Sequence, residues 1–209
     1  MGIAVSWAQV GTSGGAAPTT LDANAIRDAM LAASGRLGPK SAGPNVTAPR
    51  DGAGEVSVDE SKPEGFARTI FLQHRRTQVP TFLGNFDTPS VVFNCPRRAT
   101  TTMPLQSLSL LNSDFAVRRG ADLARRLDTD AGEHASVDTR IERAFLLTCG
   151  RPPDATERRA AHKFVADQQA NYATPAADSS ADARDQAARW AWADFGQLLF
   201  GLNAFLYLE

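Results

Sequence analysis

Three residues of different chemistry stand close together in this chain: His74, Asp87 and Cys95. An imidazole beside a thiol lowers the thiol's pKa, and a carboxylate fixes the imidazole tautomer. Cys95 would then be a nucleophile, His74 its base and Asp87 the orienting acid, in a hydrolase-like domain acting on polysaccharide. A plainer expectation competes with that one. Cys95 precedes Pro96 in a stretch that also carries Phe82, Phe86 and Phe93, a setting in which cysteine packs as a small hydrophobe. Spacing in the chain does not choose between them, because only geometry makes a triad.

Other chemistries find less support. His74, His134 and His162 are far apart, and none forms an H-x-x-x-H pair, so no metal site is expected. Cys95 and Cys149 form neither a C-x-x-C pair nor the C-x-x-C-H of haem attachment, and no cofactor is expected in this chain. A disulfide between them would need Cα atoms within about 7 Å. Packed free thiols are the simpler expectation.

Charge is distributed unevenly. Arg68, Arg75, Arg76, Arg97 and Arg98 accompany a single acid, Asp87, while Asp51, Glu55, Asp59, Glu60 and Glu64 accompany only Lys62. One reading makes Arg75, Arg76, Arg97 and Arg98 a surface for an acidic glycan or an acidic protein partner. The other, preferred here, has arginines satisfying carbonyls and carboxylates beneath the acidic loop, since the guanidinium fork suits irregular backbone. In an extended segment Arg97 and Arg98 point to opposite faces, and the inward one is expected to meet Asp28 or Asp87. A net charge of -1 offers no general attraction to nucleic acid.

The elements that must carry these residues are mostly helical. The 209 residues, 43% hydrophobic and 22% charged, suit a globular domain with a sizeable core. Residues 1–20 read as a flexible lead-in and 21–209 as a single helical domain with a loop insertion at 38–65. The fold expected is mainly α: five to six helices, a small β element near residues 66–76 and a long Gly/Pro-rich loop. The first helix begins at Thr19 or Thr20, carries Ile26, Met30, Ala33 and Leu37 at helical spacing, puts Arg27 and Asp28 on its exposed or partner-facing side, and ends at Ser34-Gly35. Pro104 opens a helix with Leu105, Leu108 and Leu111 on its inner face. Asn112 and Ser113 cap the next, and Asp154 with Glu157 forms a capping box. The last helix carries Trp192, Phe195, Leu199, Leu202 and Leu206 on one stripe, a core face packed against Phe145, Phe164 and Leu108. No apolar run approaches the roughly 20 residues of a membrane span, and residues 1–10 do not read as a signal peptide.

Four segments, in this order, carry a resemblance. They are Leu21-Asp22-Ala23-Asn24-Ala25-Ile26-Arg27-Asp28-Ala29 with Ser34-Gly35; Phe86-Asp87-Thr88-Pro89 through Cys95-Pro96-Arg97-Arg98 to Met103-Pro104-Leu105-Gln106; Gly150-Arg151-Pro152-Pro153 with Glu157; and Asn203-Ala204-Phe205-Leu206-Tyr207. Together they resemble the planctomycete C-terminal domain of unknown function found in multidomain proteins with cytochrome c-type modules. The resemblance runs from about Leu21 to the last residue. It implies a periplasmic or secreted setting and, as partners, upstream domains of the same polypeptide, which in some members include haem-binding ones. It assigns no catalytic residue. A non-catalytic module packing against those domains is therefore the leading expectation, and the hydrolase-like domain is its alternative.

Overall fold

The computed structural model describes residues 19–39, 45–88, 104–132, 135–173 and 181–208. Among them the chain is mainly α. A short strand β1 (Thr19–Thr20) leads into helix α1 (Ala23–Ala33), and two 3-10 turns follow at Pro63–Phe66 and Thr69–Phe71. Then come α2 (Thr81–Asn85), α3 (Pro104–Asn112), α4 (Asp114–Ala131), α5 (Val137–Cys149), α6 (Ala155–Tyr172), α7 (Ala181–Phe200), α8 (Asn203–Leu206) and β2 (Tyr207–Leu208). The two strands pair antiparallel, Thr19 with Leu208 and Thr20 with Tyr207.

Local chemistry sets most helix ends. Ser113 accepts from the Ala116 amide to start α4. Asp154 and Glu157 form the reciprocal capping box of α6. Gly150 ends α5 with φ 69°, a left-handed conformation that costs glycine nothing. Ser34 is the C-cap of α1.

Four expectations are corrected. First, the β element near residues 66–76 does not form. Asp28 holds both the amide and the hydroxyl of Thr69, each at 2.7 Å, and the backbone winds into 3-10 turns with single bridges from Leu72 to Val46 and from Arg75 to Gln78. Eight helices, not five or six, stand among the described residues, the added ones being the short α2 and α8. Second, α1 starts after Asp22, which caps it, because Thr19 and Thr20 are committed to β2. Third, the last helix breaks after Phe200, and the chain turns at Gly201 before α8. Fourth, α3 presents another face to the core. Leu110 and Ser109 are buried while Leu108 is exposed, with the Asn85 side-chain amide donating to the Ser109 hydroxyl at 2.6 Å.

The core gathers around α4 and α7. Leu123, Leu127, Ile141, Phe145, Trp192, Phe195 and Leu199 are buried together, each large side chain stabilising the fold by about 1.5–3 kcal/mol. Trp192 meets Phe195 edge-on at 5.6 Å. Phe164 and Leu202 border this core and are partly buried. The two helices cross where Gly120 faces Gly196. A Cβ on Gly120 would lie 2.6 Å from the Ala193 carbonyl oxygen, and one on Gly196 would lie 2.8 Å from the Gly120 carbonyl oxygen. Those obstacles are backbone, which cannot swing aside. Gly120→Ala should therefore cost about 2 kcal/mol or more, as overpacking does. Gly84→Ala, in α2 with nothing near its Cβ, should be neutral or stabilise by about 0.5 kcal/mol. Urea denaturation of the two variants checks the contrast.

Candidate functional site: a buried arginine cluster

Arg27 lies within the apolar register of α1, among Ala23, Ile26, Met30 and Leu31, and is itself buried. Its Nη2 donates to the Gly65 carbonyl at 2.9 Å, and its Nη1 to the Ala67 carbonyl at 2.9 Å and the Thr69 hydroxyl at 3.2 Å. Arg27, expected on the exposed or partner-facing side, instead fastens the 3-10 turns to α1. Burial pushes its guanidinium down to about 10, opposed by the charges of Asp28 and Glu60. Asp28 also receives Arg68, Nε to Oδ2 3.3 Å.

A second set forms on α4. Glu60, from the acidic loop, accepts from Arg119 Nη2 at 3.0 Å and pairs with Arg118 Nε at 3.4 Å. Asp122 stands 2.7 Å from Arg119 Nη2 and 3.7 Å from Arg36 Nε, and it also binds Arg125. Arg119 is 2% exposed. Its Nε and Nη1 find no hydrogen-bond partner among the described residues. Aromatic faces stand near instead: Arg119 Cζ lies 5.4 Å from the Phe66 ring and 5.2 Å from Phe115, within cation–π range. Burial lowers its pKa, and Glu60 and Asp122 resist that shift.

The preferred reading of the charge pattern anticipated arginines under an acidic loop. Among the described residues, the arginines that do this come from α1 and α4. Of the 68–98 stretch, Arg75 and Arg76 are exposed on the loop, with Arg75 reaching Gln78. Arg97 and Arg98 lie outside the described residues, as do Cys95 and His134. His74 is exposed. Asp87 is half-buried with φ 57° and accepts from Gln106 Nε2 at 3.2 Å. No hydrogen bond joins His74 to Asp87 among the described residues. Cys149 is a free thiol, its pKa pushed up by burial. His162 Nε2 lies 2.8 Å from Asp138 on the α5–α6 surface. The described residues hold no group of three or more His, Cys, Asp or Glu able to bind a metal.

Comparison with known proteins adds the family. The model of a protein family of unknown function (DUF1553) matches residues 13–165, well over half of the 209. The chain belongs to that family. It is a helical domain family associated with planctomycete cytochrome c-type multidomain proteins. No curated protein and no solved structure matches the chain. The segments that carried the resemblance prove to hold structural devices: the Asp22 cap with Arg27 and Asp28, and the Gly150 turn whose Arg151 binds Glu157 through two contacts of 2.7 Å.

The cluster's two kinds of ion pair should respond differently to substitution. Arg119→Leu leaves Glu60 and Asp122 short of their shared cation in a closed environment and should cost about 3–5 kcal/mol. Arg125→Gln, at a side chain 74% exposed, should cost about 1 kcal/mol or less. Equal losses in chemical denaturation would show that Arg119 is no more deeply committed than a surface residue.

Proposed function

We propose that this chain is a non-catalytic helical module of an exported multidomain protein, and that it docks through α3 onto preceding domains of the same polypeptide. The supporting observation is the outer face of α3. Leu105, Leu108 and Leu111 are 53%, 52% and 57% exposed, spaced three apart so that they share one side of the helix. A leucine stripe left in water is the mark of a surface meant to be covered. The far side of α3 is meanwhile secured, with Gln197 of α7 donating to the carbonyls of Leu110 and Leu111 at 3.0 and 2.7 Å. The stripe is thus presented by a fixed helix.

A domain of a multidomain chain is the fitting occupant, because the family accompanies such proteins. A haem-binding neighbour and a periplasmic or secreted setting belong to the same proposal. No helix among the described residues is long and apolar enough to cross a membrane, so contact with the rest of the polypeptide, rather than a span through this chain, is the attachment proposed.

Hydrogen exchange of the complete polypeptide against this chain alone tests the reading. The α3 amides should gain protection in the longer protein, and Leu108→Glu should abolish that gain while leaving the melting temperature of this chain unchanged. Equal α3 protection in both, or a reading frame encoding this chain alone, would overturn the proposal.

A further inference from the structure

The α4 cluster borders a groove of about 820 Å³ between α4 and α7. Its basic side chains outnumber its acids. Arg36, Arg118, Arg119 and Arg125 converge on just Glu60 and Asp122. Four guanidiniums over two carboxylates leave two positive charges uncompensated within the cluster. Asp128, also at the groove, is already engaged by Arg140 at 2.9 Å. Arg189, exposed on α7, makes no ion pair with any described residue and raises the excess to three.

An aromatic side chain stands on the same wall. Trp190 is 49% exposed and rests against Tyr172, ring centres 5.3 Å apart. The Tyr172 hydroxyl donates to Asp194 Oδ2 at 2.7 Å, which fixes the tyrosine beneath the indole. The indole is thereby held in place on the groove that Arg36, Arg125 and Arg189 also line.

We propose that this groove binds an acidic oligosaccharide, with carboxylate or sulfate groups on Arg125, Arg189 and Arg36 and a sugar ring on the face of Trp190. Guanidinium forks pair with planar or tetrahedral oxyanions through two parallel hydrogen bonds. Indole offers an apolar face and loses little conformational freedom when covered. An acidic peptide fits less well. Extended peptides are held by main-chain hydrogen bonds along a sheet edge or by apolar pockets for alternate side chains. Both walls here are helices whose interior backbone groups are already bonded, and the floor is made of Arg119 and Asp122. The inference goes beyond the docking role and uses none of the α3 leucines, so either can fail alone.

Titration calorimetry on the whole chain supplies the test, with heparin hexasaccharide as probe and maltohexaose and hexaglutamate as comparators. The hexasaccharide should bind, more weakly as salt rises. Maltohexaose should not bind, and hexaglutamate should bind at least about tenfold more weakly than the hexasaccharide, a difference of about 1.4 kcal/mol. The double variant Arg125→Gln/Arg189→Gln and the single variant Trp190→Ala should each weaken the hexasaccharide about tenfold or more. All three side chains are exposed, so melting temperatures should hold. If the double variant melts early, Arg189→Gln alone serves, having no ion pair with a described residue to lose, and should still weaken binding severalfold. Hexasaccharide affinity unchanged in these variants would overturn the proposal. So would hexaglutamate binding equally tightly and indifferent to Trp190→Ala, an outcome that would give the groove to acidic peptides.

Discussion

Two helix backbones touch where Gly120 meets Gly196, and the positions of the other elements follow from that contact. A side chain at Gly120 would meet the Ala193 carbonyl oxygen and the Gln197 amide nitrogen, and one at Gly196 the Gly120 carbonyl group, so α4 and α7 approach more closely than side-chain-bearing helices can. Close approach lets Phe195 and Leu199 reach Leu123 and Leu127, and α5 and α6 close over the same core. It also sets the groove, whose walls include Asp122 of α4 and Ala193 of α7. Arg119, next to Gly120 in the chain, is carried into the interior on the flank of the same helix.

A second requirement is to hold a loop that has little apolar material. The described part of the 38–65 segment buries Ala48 and Val56 but carries no leucine, isoleucine or phenylalanine. Its attachment is polar. Arg27 reaches across to the carbonyls of Gly65 and Ala67, and Glu60 receives two α4 arginines. Such a design favours arginine, whose fork can satisfy several backbone carbonyls at once. Only Lys40, Lys62 and Lys163 represent lysine among the 22 basic residues. The cost is a set of desolvated charges, visible in the downward shifts of Arg27 and Arg119. Such a cluster specifies how the loop sits more than it adds to stability.

How much of this could be read beforehand follows from range. The caps at Ser113, Asp154–Glu157 and Gly150 depend on residues within four positions of each other, and the sequence shows them. The buried stripe of α7 is equally visible as far as Phe200. Residues 66–76 alternate as a strand would, yet a carboxylate 41 positions away, Asp28, holds Thr69 and turns the chain. In α3, leucines at 105, 108, 110 and 111 offer two faces. Contacts from Asn85 and Gln197 bring Leu110 inside, and nothing within the helix announces that. The buried arginines did leave a signal. Arg27 stands at the apolar spacing 23, 26, 27, 30, 31, and Arg119 at 116, 119, 123, 127. A charge inside an apolar register points to a buried, partnered group, whereas clustering of arginines along the chain led to the exposed Arg75 and Arg76.

The contact between Gly120 and Gly196 is one interaction shared by two residues. A double-mutant cycle in chemical denaturation measures that most directly. Once Gly120→Ala has forced the helices apart, Gly196→Ala should cost much less than it does alone, with a coupling of about 1 kcal/mol or more. Strictly additive losses would mean that each methyl strains its own surroundings and that no common crossing holds α4 against α7.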